Sequence, residues 1–544
     1  MNSDPYSGRR WTWLFYFLLG LYLILIIWTF RDYGVTWDEQ WHSTYGEYIL
    51  QWYQSHFRDW SAVNYWLLKY YGGFFDVVAQ IATRVSRFGE YETRHFVSAL
   101  FGLIGVAGAF KLGRYLGGPL AGFLAALFLV LTPRFYGHSF FNPKDLPFAS
   151  LYLVSLYYII QSVRYLPRIP RGLIVRLGIA IGLTLGIRIG GVLLLGYLAW
   201  ALCIWFLVGR HRGPETFPKH TNFRSALMTF AKGYFLVGAI SYGLMLVWWP
   251  PAQVQPLLHP LKTLWKAGRF PWTRETLFEG HLVPARNVPW HYIPKWILIT
   301  VPDFYFIGFA IALWLFVLAL RRSPKLWNSD RFIEYSLLVV AIVFPATVAA
   351  LSKAVLYDAE RHVLFLFPPL AVVAALAVSR LVQQSRLRAV WVAVSAAILL
   401  SLAPTVVDMV QLHPYQYVYF NRVFGKGLKR ASASFETDYW GLSYKEGVEW
   451  VVKNYSNKFP DRKIKVASCS FPFSTEYFLP KDRFIYVGSY DYKVTDHPDL
   501  FLATTRWRCH ETLNGRVLHV VMREDTPLLY VKEVPEGAQP LRPY

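Results

Sequence analysis

Trp11-Thr-Trp-Leu-Phe-Tyr-Phe-Leu-Leu-Gly-Leu-Tyr-Leu-Ile-Leu-Ile-Ile-Trp-Thr-Phe30 runs directly into Arg31-Asp-Tyr-Gly-Val-Thr-Trp-Asp-Glu-Gln40. The first stretch is 20 residues long and carries no charge. At about 1.5 Å of rise per residue, that is the length an α-helix needs to cross a hydrocarbon core about 30 Å thick. Arg9-Arg10 precede it and no small-residue cleavage site follows, so it reads as a retained anchor rather than a removed signal. The second stretch places the acidic pair Asp38-Glu39 within ten residues of the helix end. Carboxylates so close to lipid are costly to keep charged unless something uses or neutralises them. Two readings follow: a pair that deprotonates a substrate held at the lipid–water boundary, or a solvated loop pair.

The rest of the chain agrees with a membrane setting. Of 544 residues, 54% are hydrophobic, 18% aromatic and only 17% charged, against about 25% charged in soluble domains. The 22 Trp and 36 Tyr suit interfacial belts, where an amphipathic ring sits at headgroup level. A net charge of +22 does not argue for nucleic acid, because the basic residues lie between apolar segments and not on a separate module. Cys203 falls in an apolar segment and reads as a small packed side chain. Cys469 and Cys509 lie in the polar C-terminal region and could pair if that region is outside the cytoplasm. No CxxC or Cys/His ligand spacing is present, so no metal site is assigned and no cofactor is expected, although a divalent cation at the site stays open.

Further apolar runs span roughly 96–112, 119–132, 146–163, 173–187, 190–208, 227–249, 297–319, 333–351, 361–379 and 390–407, giving about eleven crossings with the first. Read as one helix, 173–208 would exceed about 50 Å, so Arg188 and Gly190-Gly191 are taken as a tight outer turn between two helices. Gly178, Gly182, Gly186 and Gly190 recur at every fourth position, a packing stripe for a neighbouring helix. Alternate connections carry Arg9/Arg10, Lys111/Arg114, Arg164/Arg168/Arg171, Arg210/Arg212/Lys219, Arg321/Arg322/Lys325 and Arg380/Arg386/Arg388. The positive-inside rule puts them in the cytoplasm. Asp38-Glu39, Lys144-Asp145, Arg188, the loop 250–296, the segment 355–362 and the tail 408–544 then share the opposite face.

Residues 1–407 thus form a transmembrane module with outer loops 31–95 and 250–296. In the first, aromatic-rich stretches within 40–95 read as helices lying in the interface. The second, rich in proline, is expected to be irregular with short helices at most. The tail 408–544 reads as a small extracytoplasmic α/β domain, with a helix at 443–454 and strands at 463–470, 483–488, 499–505, 516–523 and 527–534.

A group-transfer reaction at this face needs a carboxylate to take the proton of an attacking hydroxyl and cations to stabilise a departing phosphate. Asp38 fits the first role, with Glu39 placing it or binding the acceptor. Lys69, Lys144, Arg188, Arg361 and His362 are the outer-face cations, each of which can also be a snorkelling interface residue. Asp145, in Phe140-Phe-Asn-Pro-Lys-Asp-Leu-Pro147, is a second outer carboxylate, or a first-turn acid favoured by the helix dipole. The same dipole reading applies to Glu360.

The order of these features resembles a known family. Asp-Glu follows the first helix; then come Arg94, Lys111-Leu-Gly-Arg-Tyr-Leu-Gly-Gly118, Pro133 with the Asp145 loop, Gly186-Ile-Arg-Ile-Gly190 and Arg361-His-Val-Leu-Phe-Leu-Phe-Pro-Pro369. Over residues 10–407 the chain looks like the GT-C membrane glycosyltransferases, in the branch of protein O-mannosyltransferases and the lipid A aminoarabinose transferase. The resemblance implies a polyprenyl-phosphate-linked sugar donor, inverting transfer and a catalytic acid in the first outer loop, where Asp38 falls. It also implies that Asp145 is the further acid of the second loop and that Lys69, in Trp66-Leu-Leu-Lys-Tyr-Tyr-Gly72, contacts donor phosphate.

The reading is therefore a polytopic α-helical membrane protein with a small C-terminal α/β domain. It is expected in a bacterial inner membrane, with its N-terminus in the cytoplasm and its site and tail in the periplasm. Asp38, Glu39 and Asp145 are the catalytic candidates; Lys69, Lys144, Arg188, Arg361 and His362 are the phosphate-binding candidates. The expected partners are membrane lipids, a polyprenyl-phosphate sugar and a lipid, glycan or protein acceptor, with no nucleic acid. The alternatives are a polyprenyl-linked glycan ligase or polymerase, and a lipid or glycan flippase, the last disfavoured because the charges gather at one face and not at the midplane.

Overall fold

The computed structural model describes residues 5–211, 223–322, 330–385, 387–470, 472–490 and 493–540. Arg212, Lys219, Lys325 and Arg386, which enter the charge pattern above, lie outside the described residues. Among the described residues nine helices are long and apolar enough to cross a membrane: 8–29, 90–117, 145–165, 189–207, 224–247, 304–321, 330–351, 361–384 and 388–411. Two further expected crossings take a different form. Helix Pro119–Val130 is followed, across a 65° bend, by Pro133–Phe141. Helix Arg171–Leu185 has 15 residues, about 22 Å at the α-helical rise, which is shorter than a full hydrocarbon core. Trp13, Phe17, Leu399 and Leu400 stay exposed on the flanking helices, an apolar surface suited to lipid.

Local sequence explains the main breaks. Gly118, at φ +87°, separates two helices and Pro119 opens the second. The left-handed turn is cheap for glycine, and proline has no N–H to lose at a helix start. The glycine stripe works as packing at three of its four positions. A Cβ at Gly178 would sit 2.6 Å from Ile240, at Gly182 2.9 Å from the Ser241 carbonyl and at Gly186 3.0 Å from Trp248. Helix Phe223–Val247 therefore lies directly on helix Arg171–Leu185. At Gly190 the nearest atom is 3.5 Å away, so that glycine belongs to the turn and not to the stripe.

The loop 250–296 departs from expectation. It holds helices Pro250–Val254 and Leu258–Ala267 and a two-stranded hairpin, β1 (Glu275–Phe278) and β2 (His281–Pro284). Glu279 and Gly280 both have positive φ, +52° and +83°, the geometry of a tight turn whose twist matches the strands. Proline content suggested irregularity, but the prolines flank the hairpin or end it.

In the tail, helix Tyr444–Tyr455 packs on a sheet of β3 (Ile464–Ser468), β4 (Phe484–Ser489), β5 (Lys493–Val494), β6 (Leu500–Thr504), β7 (Arg516–Arg523) and β8 (Thr526–Glu533). The order is β5-β4-β3-β6-β8-β7, with β3 parallel to β4 and β6 and the other pairings antiparallel. Cys469 and Cys509 form a disulfide with Cα atoms 5.7 Å apart. Residues 412–443 do not join this sheet. Tyr415, Tyr417, Tyr439 and Trp440 are buried, and Tyr417 and Trp440 pack on His138 and Phe141 of the helical body.

Candidate functional site

Helix Trp37–Gln54 carries Asp38 in its first turn. Thr36 precedes it, and its backbone N–H and hydroxyl donate to Glu39 Oε2 at 2.8 and 3.0 Å. This reciprocal cap satisfies a backbone donor that the helix start would otherwise leave open. Glu39 is buried and its Oε1 also lies 2.9 Å from His95 Nε2. Glu39 thus anchors the turn from which Asp38 projects.

Asp38 is a quarter exposed and meets Lys144 Nζ at 2.7 Å and Arg361 Nη1 at 3.7 Å. Arg361 Nη1 also lies 3.5 Å from Asp145 Oδ2, and Asp145 in turn is paired with Arg188. A continuous ionic chain therefore runs Lys144, Asp38, Arg361, Asp145, Arg188. Burial pushes the Asp38 carboxyl up, but Lys144, Arg361 and His42 outweigh it and hold it at about 2. Asp145 opens helix Asp145–Ser162, where Asn142 accepts its backbone N–H at 2.8 Å. Asp145 is thus a first-turn acid and at the same time a carboxylate held by Arg188 and Arg361.

Five expected residues outside the two long loops, Lys144, Asp145, Arg188, Arg361 and His362, come together with Asp38 at one end of the helical body. Arg188 and His362 line a cavity of about 410 Å³ with Tyr71, Phe148, Tyr357 and Phe365. Lys266 and Arg269, from the helix and turn after Leu258, line it too. Lys266 Nζ donates to the Tyr70 hydroxyl at 2.6 Å. The volume lies in the range of about 300–1,000 Å³ usual for small-ligand sites.

Two expected phosphate ligands are placed differently. Lys69 turns its backbone to the interior: its carbonyl accepts from Trp249 Nε1 at 2.8 Å and His259 Nε2 at 2.7 Å. Its ammonium lies 5.8 Å from the Tyr70 ring centre, and Lys69 is not part of the cavity lining. Arg361 is buried among carboxylates, with Asp358 Oδ2 at 2.9 Å in addition to Asp38 and Asp145, and it does not line the cavity either. Three anions around one guanidinium leave it a holder of carboxylates. Glu360 stands at the N-cap of Arg361–Leu366, as its dipole reading has it, but without a side-chain capping bond: its carboxylate is buried against Arg134 at 3.0 Å.

Several site residues were not singled out from sequence. His42, one turn after Asp38, pairs with Asp76 at 3.0 Å, and Asp76 also meets Arg94 at 3.2 Å. The i, i+4 spacing from Asp38 was a readable signal. Asp358, three residues before Arg361, joins Arg361 to Arg506 of the C-terminal domain. Nothing local in the sequence announces that link. Among the described residues no group of three or more His, Cys, Asp or Glu is arranged to hold a metal ion.

Comparison with known proteins agrees with this architecture. The family described as dolichyl-phosphate-mannose-protein mannosyltransferase matches residues 74–231. No curated protein matches the chain in sequence. Among solved structures, ArnT from Cupriavidus metallidurans bound to undecaprenyl phosphate has a TM-score of 0.50 at 15% identity, covering 96% of this chain and 98% of ArnT. Its apo structure gives the same values. The archaeal oligosaccharyltransferase AglB from Archaeoglobus fulgidus, in complex with an inhibitory peptide and a dolichol-phosphate, aligns with a TM-score of 0.46 at 13% identity, covering 97% and 75%. The likeness to ArnT is one of fold, over nearly the whole chain, and the mannosyltransferase-family match falls in the second to sixth apolar segments.

Proposed function

We propose that this protein is an integral-membrane glycosyltransferase that moves a sugar from a polyprenyl-phosphate carrier to an acceptor hydroxyl, with inversion, at the periplasmic face of a bacterial inner membrane. The observation that carries this reading is the 410 Å³ cavity: its aromatic and aliphatic walls suit an isoprenoid, and Arg188, Lys266, Arg269 and His362 suit the phosphate. Tyr71 and Tyr357 join it to the ionic chain, since Lys144 and Arg188 lie 5.4 and 5.7 Å from the Tyr71 ring and Arg361 lies 4.9 Å from Tyr357.

In the reaction, the acceptor oxygen bonds to the anomeric carbon as the bond from that carbon to the phosphate oxygen breaks. The proton of the hydroxyl passes to Asp38, and the polyprenyl phosphate leaves with the bonding electrons against the cavity cations. A carboxylate held near 2 is a weak base, so it takes the proton as the new bond forms and not before. Asp145 and Arg361 fix the position of this carboxylate, and Glu39 fixes the turn that carries it. The disulfide in the tail supports the exported side, where thiols oxidise. The charged face and the tail also meet at one end of the bundle, where Asp358 pairs with Arg506.

The test is turnover by purified protein in detergent of a polyprenyl-phosphate sugar, followed as released polyprenyl phosphate. A flippase would move the intact lipid across a vesicle bilayer with no release, and that outcome would reject the reading. A ligase or polymerase would release the carrier while lengthening a glycan on one acceptor chain.

A further inference from the structure

A second cavity, of about 560 Å³, opens between the β1–β2 hairpin and the C-terminal domain. Its walls include His281 of the hairpin, Glu436 and Thr437 of the connecting segment, and Arg506, Trp507 and Arg508 of the domain. It is not an isolated surface dent. Arg506 pairs with Asp358, the partner of Arg361, and its guanidinium lies 4.5 Å from the ring of Trp37, the residue before Asp38. Trp507 stacks on the same Trp37 ring with centroids 5.7 Å apart. The Asp38–Arg361–Asp358 chain thus lies between two cavities, one bounded by Tyr357 and His362 and the other by Arg506 and Trp507.

Two features mark the second cavity. Trp507 and Arg508 both adopt the left-handed region, at φ +49° and +58°, which is uncommon for residues with a Cβ and costly for bulky ones. Arg506 Nε and Glu436 Oε1, buried on the cavity wall, make no hydrogen bond among the described residues and stand 3.4 Å apart. They form an ion pair short of hydrogen-bond geometry, so both can still bond a ligand hydroxyl.

We propose that this cavity is the acceptor site and that it takes an acidic carbohydrate. An indole face and a mixed set of donors and acceptors suit a sugar ring, and Arg508 and His281, on walls where Arg506 already balances Glu436, suit an anionic one. The inference rests on the glycosyltransferase reading, in which donor and acceptor approach the base from different sides.

The experiment uses the full-length protein in lipid nanodiscs and calorimetric titration with three probes: undecaprenyl phosphate, a galacturonic acid trisaccharide and maltotriose. Arg508→Glu and His281→Glu, on opposite walls and both at exposed positions, are compared with wild type after checking that their melting temperatures are unchanged. The acidic trisaccharide is expected to bind wild type and to lose about tenfold or more in each variant, the loss of one charge-assisted contact, while undecaprenyl phosphate binding stays unchanged. Maltotriose is expected to bind more weakly than the acidic probe. Equal binding of maltotriose overturns the acidic class, and unchanged trisaccharide binding in both variants, or none in wild type, overturns the site. Failure of undecaprenyl phosphate to bind wild type would instead reject the donor reading beneath it.

Discussion

Replacing Asp38 by Asn keeps the shape of the side chain and removes its charge. Loss of a positioned general base lowers turnover by about 10²–10⁴-fold. The same change costs stability. The carboxyl falls from its usual 3.8 to about 2 in the folded protein, and at about 1.4 kcal/mol for each pH unit that amounts to roughly 2 kcal/mol. Because the folded value is depressed, this stabilisation is fully present above about pH 4 and is lost as pH falls through about 2. The melting temperature of Asp38→Asn should therefore lie below wild type at pH 7, and the gap should narrow in acid. Asp38 also stays ionised across the working range, so wild-type turnover should show no acid limb from this group between pH 4 and 8. The assay is release of polyprenyl phosphate at saturating donor, paired with melting curves at several pH values. If Asp38→Asn turns over within tenfold of wild type while Asp145→Asn abolishes release, the assignment of the base is wrong.

Other outcomes follow from the same geometry. Arg188→Lys should weaken binding of undecaprenyl phosphate less than Arg188→Ala, since an ammonium still faces Asp145 and the cavity; equal, unchanged affinity in both would remove Arg188 from the phosphate site. Lys69→Ala should change donor affinity less than Lys266→Ala, as read by titration, because Lys266 lines the cavity and Lys69 does not. Gly72→Ala should lower expression and melting temperature, because its Cβ would sit 2.2 Å from the Gly186 carbonyl oxygen and the backbone must shift; a fully stable Gly72→Ala protein would contradict that packing. A phosphatase reporter fused to the C-terminal end should be active, and a reporter active only in the cytoplasm would mean that one of the short helical segments does not cross.

Much of this architecture can be read along the chain. A crossing helix satisfies its own backbone hydrogen bonds and needs only a run of apolar residues, so its signal is local and survives without knowledge of its neighbours. The strands of the tail were legible for the same reason, through their spacing and β-branched content, and the acid pair after the first helix stood out because charge is rare beside lipid. The β1–β2 hairpin was not legible, because proline content masked a turn made by only Glu279 and Gly280. What the tertiary structure decided is which charges meet. Asp38, Lys144, Asp145, Arg188 and Arg361 come from separate loops, and their pairing depends on how the helices dock. That docking separated Arg188, which faces the cavity, from Arg361, which is consumed by three carboxylates, although both read as outer-face cations. It also brought Lys266 and Arg506 to the site from segments with no local signature. Coulomb interactions act through space and strengthen where water is excluded, so the worth of a charge such as Asp38 is set by partners as distant along the chain as Arg361.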